Sequence, residues 1–93
     1  MKYEIVTSTG YRKALKRISR HKYFDGLLVD KVISLLAEGK PLPGRYKDHQ
    51  LIGSLKEFRE CHIKNDLLLV YKKQDEVLIL LLVDIGTHSS LFG

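Results

Sequence analysis

Three of the four histidines in this 93-residue chain stand where no core pattern requires them. His49 lies in the loop-like stretch KDHQL, and His62 closes the strand-like RECHI. His88 follows EVLILLLVDI, the most apolar stretch of the chain. Asp66 opens the next strand-like segment after a KND turn. Imidazole, with an unperturbed pKa of about 6.5, both donates and accepts protons near neutrality. A pair of imidazoles is what a transesterification at phosphorus needs. One takes a proton from the nucleophile, the other gives one to the leaving oxygen, and cations hold the charge that develops on the phosphate. Arg59 is the candidate cation, with Arg45, Lys47 and Lys56 close to it in sequence. A single loop histidine is more often a surface residue; three together with an aspartate point to chemistry. Three histidines and an aspartate could also ligate zinc with one position open. No HExxH or other short ligand spacing supports this, and we expect neither metal nor cofactor. Cys61 could be a nucleophile beside His62, but neighbouring residues of a strand point to opposite faces and would not meet.

YEIV, residues 3–6, is short and β-branched, a strand. Ser8 or Thr9 can cap a helix whose apolar face is Tyr11, Ala14, Leu15 and Ile18. Its other face carries Arg12, Lys13, Lys16, Arg17 and Arg20, and no acid occurs between Glu4 and Asp25. A second helix spans 24–39, with Leu28, Val32, Leu35 and Leu36 as its core stripe and Gly39 placed to end it. Residues 40–55 hold both prolines and read as an extended loop, with at most a short strand near Leu51 and Ile52. Strands at 57–63, 67–73 and 77–85, joined by short polar turns, form an antiparallel meander. The first of these puts Phe58, Glu60 and His62 on one face. The order β-α-α-β-β-β predicts one α+β domain over residues 1–93: a mostly antiparallel sheet with an N-terminal helical hairpin on one face and a short C-terminal turn or helix.

Composition bounds the function. Sixteen Lys and Arg against eleven Asp and Glu give a net charge of +5, with a pI near 9.4. Such a balance favours a polyanionic partner, and the acid-free basic helix is a candidate phosphate-facing ridge. The lone Cys61 permits no internal disulfide and fits a reducing cytoplasm. The N-terminus lacks the apolar core of a signal peptide. The longest apolar run, VLILLLV, falls far short of the ~20 residues that span a bilayer, so no membrane association is expected.

LPGRYKDHQLIGSLKEFRECHIKNDLLLVYKK, followed by LLLVDIGTHSSLFG, closely resembles the YafQ-type toxins of bacterial toxin–antitoxin systems, within the RelE/ParE superfamily. The shared pattern covers residues 41–93, and the basic hairpin before it agrees in layout. The resemblance implies an endoribonuclease that cleaves messenger RNA in the ribosomal A site without metal. The ribose 2′-hydroxyl attacks its neighbouring phosphate, leaving a cyclic phosphate and a 5′-hydroxyl. The family's catalytic histidines fall on His49, His62 and His88, its aspartate on Asp66 and its active-site aromatic on Phe92, a platform for a base. Arg59 and Glu60 take supporting positions. His88 is then the expected general acid, His49 or His62 the base, and Asp66 the group that orients or tunes an imidazole. Some members carry Trp directly after the aspartate, where this chain has Leu67, so a base contact through that ring is not expected here. The resemblance also implies a cognate acidic antitoxin, DNA-binding and dimeric. Two other readings compete: a non-catalytic superfamily toxin that inhibits gyrase, and a plain nucleic-acid-binding module. Both leave the histidine set without a reason.

Overall fold

The computed structural model describes residues 2–93. It runs β1 (Glu4–Thr7), α1 (Thr9–Ile18), α2 (Gly26–Ala37), β2 (His49–Gln50), β3 (Arg59–Lys64), β4 (Leu67–Gln74), β5 (Ile79–Gly86) and α3 (His88–Phe92). Short 3-10 turns occupy Gly44–Tyr46 and Gly53–Leu55. The five strands form one sheet in the order β1-β5-β4-β3-β2. The meander β3-β4-β5 is antiparallel as expected, and β2 adds to it antiparallel, His49 opposite Glu60. β1 pairs with β5 in parallel, Glu4 opposite Ile79 and Thr7 opposite Leu82, so the sheet is mixed.

Local chemistry sets the helices. Ser8 caps α1: its Oγ accepts the Tyr11 N–H at 2.9 Å and donates to the Val83 carbonyl at 2.9 Å, which ties the helix start to β5. Asp25 caps α2 by accepting the Leu28 N–H at 3.1 Å, and Gly39, at φ +76°, ends it in the left-handed conformation that favours glycine. The buried stripe of α2 is Val29, Val32, Leu36 and Ala37, with Leu28 and Leu35 only half-buried. This corrects the expected stripe. The segment is apolar on several sides, so periodicity alone does not set its rotation.

Three strands start two residues away from where expected. β2 lies at His49–Gln50 rather than near Leu51 and Ile52, and Ile52 is exposed. β3 starts at Arg59, two residues late. β5 starts at Ile79, because Leu78 takes φ +54° in the turn and Val77 stays exposed. Apolar character continues through the turn, whose limits the backbone conformation sets.

The register separates two faces, since cross-strand partners share a side. Cys61, Ile63, Leu69, Tyr71, Leu80, Leu82 and Ile85 join Tyr11, Ala14, Val29, Val32 and Leu36 in one helix-covered core. A bulge in β5 makes this possible: Val70 opposes Asp84 while Tyr71 opposes Leu82, so Val83 is the extra residue. Without it Leu82 and Ile85, three apart, would point to opposite sides. On the other face run two rows: His49–Glu60–Val70–Asp84 and His62–Leu68–Gly86. Leu68 and Val70 are buried there, outside the helix-side cluster.

Candidate active site

Those rows bring His49 and His62 together. The Oε1 of Glu60 lies 3.5 Å from the Nε2 of His49 and 3.5 Å from the Nε2 of His62, and the two imidazole centroids are 6.3 Å apart. The Glu60 side chain is only 6% exposed, against 48% for His49 and 33% for His62, so a buried carboxylate stands beneath two accessible rings. A buried charge needs such partners, because desolvation penalises it otherwise.

A tight turn and a second network aim His49. Lys47 follows the 3-10 turn in the left-handed region at φ +48°, and its carbonyl lies 2.6 Å from His49 Nδ1. A carbonyl only accepts, so Nδ1 carries the proton in this contact and Nε2, facing Glu60, is the nitrogen free to exchange one. Asp48 points the other way. It accepts hydrogen bonds from the Tyr71 hydroxyl and from Arg59 Nε at 3.3 Å, and its second oxygen lies 3.3 Å from Arg59 Nη2. Burial first, and then the bond to Asp48, push the Tyr71 hydroxyl well above the usual tyrosine range. Arg59 therefore does not stand free as the phosphate clamp its type suggested. It sits on the helix side of β3 with its charge taken up by Asp48. Nothing in the local sequence marks Asp48 and Tyr71 as partners beyond the DH pair itself, whose neighbours face opposite ways in an extended segment.

Cys61, buried between those partners, has its thiol pushed up to about 12 by desolvation first and by the nearby Asp48 and Glu60 carboxylates next. A thiol held neutral is no nucleophile at neutral pH.

The remaining groups come from the end of β5. The row His62–Leu68–Gly86 puts Gly86 two strands from His62, roughly 10 Å by ordinary strand spacing, and His88 follows two residues on, past the same end of the sheet. α3 has five residues, too few to persist alone. A capping box holds it: Thr87 Oγ1 accepts the Ser90 N–H at 3.1 Å, and Ser90 Oγ accepts the Thr87 N–H at 2.9 Å. Asp66, exposed in the β3–β4 turn, accepts the His88 backbone N–H at 3.0 Å. Asp66 thus anchors the helix that carries His88. One helical turn on, the Phe92 ring lies 5.4 Å from the His88 ring, centroid to centroid, with 37% of the residue exposed. Leu67 is buried in the core and presents no platform.

The basic residues do not form one ridge. Arg12 bonds back to the Thr7 carbonyl at 2.6 Å and, with Lys16, lines a groove between α1 and α2. Lys13 is exposed on α1. Arg17 and Arg20, in and just after the last turn, line a hollow with Gly86, Thr87 and Ser90 beside the histidine end. Arg45 packs over the Tyr46 ring, 4.8 Å from its centroid. Lys56 is exposed, and its carbonyl accepts from Gln50 Nε2 at 2.6 Å. Among the described residues, no three His, Cys, Asp or Glu side chains converge so as to hold a metal ion, and none of the helices is long and apolar enough to cross a membrane.

Fold and site together define a class: a small α+β protein that sets histidines and carboxylates along one end of a mixed sheet, backed by a basic helical hairpin. Comparison with known proteins makes the class specific. A family described as "Bacterial toxin of type II toxin-antitoxin system, YafQ" matches residues 3–93, and the chain belongs to that family. It is 38% identical over 82 residues to the mRNA interferase toxin YafQ of Escherichia coli K12, covering 88% of this chain and 79% of that one. It superimposes on a metal-bound toxin from Helicobacter pylori with a TM-score of 0.89 at 48% identity, covering 99% of this chain and 100% of that one. The E. coli DinJ-YafQ complex matches with a TM-score of 0.87 at 34% identity, covering 98% and 99%.

Proposed function

We propose that this chain is an endoribonuclease, the toxin half of a type II toxin–antitoxin pair, which cleaves messenger RNA in the ribosomal A site and so arrests translation. The observation that carries the reading is the pairing of His49 and His62 about the buried Glu60 carboxylate, at the end of the sheet to which β5 delivers His88 with its backbone held by Asp66. The E. coli relative is named an mRNA interferase, which supports the substrate class.

The chemistry follows from this chain's own groups. His49 and His62 face one carboxylate through their Nε2 atoms. When either imidazole accepts the proton of a ribose 2′-hydroxyl, the new positive charge lies 3.5 Å from Glu60 Oε1, which stabilises it. The base therefore belongs to this pair. The 2′-oxygen then bonds to phosphorus, the bond from phosphorus to the 5′-oxygen breaks, and His88 gives its proton to that oxygen. The products are a 2′,3′-cyclic phosphate and a 5′-hydroxyl. Asp66 acts on His88 by holding its helix and not by touching its ring. Phe92 offers a face to a base, a contact worth ~1–3 kcal/mol in single-stranded binding. Arg17 and Arg20, which line the hollow beside Gly86, Thr87 and Ser90, attract the strand.

The cytoplasm, where message and ribosomes lie, is the proposed compartment. A surface of +5 suits an acidic antitoxin that covers the site, itself DNA-binding and dimeric. The test is His88→Ala. Message ends mapped by primer extension after induction should show no toxin-dependent cuts, growth should resume, and the melting temperature should hold. Wild-type cutting by this variant would refute the assignment.

A further inference from the structure

A cavity of about 380 Å³ opens beside Asp66 and Thr87 at the catalytic end, on the helix side of the sheet, and nothing in the mechanism uses it. Its floor is apolar, Phe24 and Leu67, and its rim is aromatic, His21 and Tyr23 from the α1–α2 connection. Tyr23 is 61% exposed, an unusual state for a large ring, and Lys22 Nζ stands 5.0 Å from its centroid. The His21 and Tyr23 centroids are 5.4 Å apart. Resting on the ribonuclease reading above, we propose that this hollow receives one base of the RNA strand being cleaved, at a nucleotide neighbouring the scissile phosphate.

Three observations choose this occupant. A base has two apolar faces and a polar edge, and the hollow pairs an open tyrosine with the polar β3–β4 turn, where Lys64 and Asn65 reach its border. Cations stand at its rim, as a strand of phosphates requires. Finally, a second hollow of about 330 Å³ shares Ile18, His21 and Thr87 with the first and is lined by Arg17 and Arg20. A strand leaving the histidines past Thr87 meets an aromatic seat for a base and an arginine pair for the backbone side by side. The exposed ring and the acid-free helix, otherwise two unexplained features, become parts of one track.

The test couples the ring to the base. Ribosomes are programmed with synthetic messages that carry an abasic nucleotide at each position around the cut in turn, and cleavage by wild type, Tyr23→Ala and Tyr23→Trp is compared. For the wild type, one position should lose about 5- to 150-fold in rate when the base is removed, the span of a single base–aromatic stack. Tyr23→Ala should abolish that penalty at the same position, and Tyr23→Trp should keep it. Codon–anticodon effects cancel, because they are common to all three proteins. If the penalties of Tyr23→Ala equal those of wild type at every position, the hollow takes no base. If Tyr23→Ala changes affinity for the antitoxin alone, the hollow is a protein-docking site and the proposal falls. Failure of the ribonuclease reading looks different: the intact message would stay uncut by wild type, or His88→Ala would cut it equally.

Discussion

Gly86 joins β5 to the helix that carries His88, and its lack of a side chain is a steric requirement of the site. A Cβ built there would lie 2.5 Å from Ser90 Oγ, far inside contact distance, while Ser90 Cβ and Leu91 Cδ2 would sit at an ordinary 3.7 Å. Gly86 has no positive φ among the described residues, so alanine strains no backbone, and the hydroxyl alone must move. That hydroxyl accepts the Thr87 N–H at 2.9 Å and donates to the Thr87 carbonyl at 3.0 Å. Rotating it away removes half the capping box. The two hydrogen bonds that the hydroxyl gives up are worth ~0.5–1.5 kcal/mol each, so Gly86→Ala should disfavour docked α3 by roughly 1–3 kcal/mol. That shifts the docked-to-undocked ratio by about 5- to 150-fold. α3 contributes no buried residue, so the melting temperature should move by less than about 3 °C. The expected outcome is a fall in kcat for message cleavage, with faster hydrogen exchange confined to residues 87–92. The Ser90→Ala background supplies the control: with the hydroxyl gone, adding Gly86→Ala should cost nothing further. An equal penalty in both backgrounds would refute the steric argument, and full activity of Gly86→Ala alone would refute the need for a docked α3.

Glu60→Gln keeps the shape between His49 and His62 and removes the charge. It should lower kcat for message cleavage about 10- to 100-fold with little change in KM, and wild-type kcat for Glu60→Gln would refute a catalytic part for the charge. Asp48→Asn leaves Arg59 and the Tyr71 hydroxyl with a weaker acceptor; urea unfolding should show a loss of about 1–3 kcal/mol, and cleavage should fall because the segment carrying His49 is released. The Cys61 thiol, raised in the folded state from 9.0 to about 12, stabilises the fold fully below pH 9, and that stability is lost as pH rises from 9 toward 12. Cys61→Ala should flatten this alkaline fall in a melting-temperature series while lowering the plateau, and a thiol reagent should reach Cys61 only on unfolding.

Short-range chemistry was legible in the chain. Ser8 and Gly39 sit beside the helices they cap, and the KND turn brings its strands together within two residues of loop. The histidines stood out because nothing in a core pattern needed them. What escaped were facts about rotation and about distant partners. The rotation of α2 is hidden by a sequence apolar on several sides, and the start of β5 by an apolar turn. β1 finds its partner at the opposite end of the chain, and no local signal marks that pairing. Asp66 and His62 are four residues apart across a turn, yet Asp66 meets the His88 backbone, twenty-two residues on, because β5 returns to the same edge. Arg59 has the residue type of a phosphate clamp, but the pleat sends it to the side where Asp48 and Tyr71 lie.

The two faces of β3 divide the labour, and Glu60 shows what the division demands. Helices dry one face with apolar side chains. On the other, Leu68 and Val70 form a buried floor, and Glu60, in the row with Val70, is left 4% exposed. In so little water a carboxylate interacts strongly with a nearby imidazole and is correspondingly unfavourable without one. His49 and His62 are therefore alternative partners of one charge, and their contributions to stability should not add. His49→Ala or His62→Ala alone leaves the other ring 3.5 Å away, so each should destabilise mildly. The double variant leaves the charge alone and should exceed the sum of the singles by about 1–3 kcal/mol in denaturant unfolding near neutral pH. Replacing the carboxylate in that background, as Glu60→Leu, should recover most of the loss, because it removes the unpaired charge and keeps the volume. Additivity within about 0.5 kcal/mol would mean that solvent, rather than the two rings, satisfies Glu60, and the shared-carboxylate account of the base would fail with it.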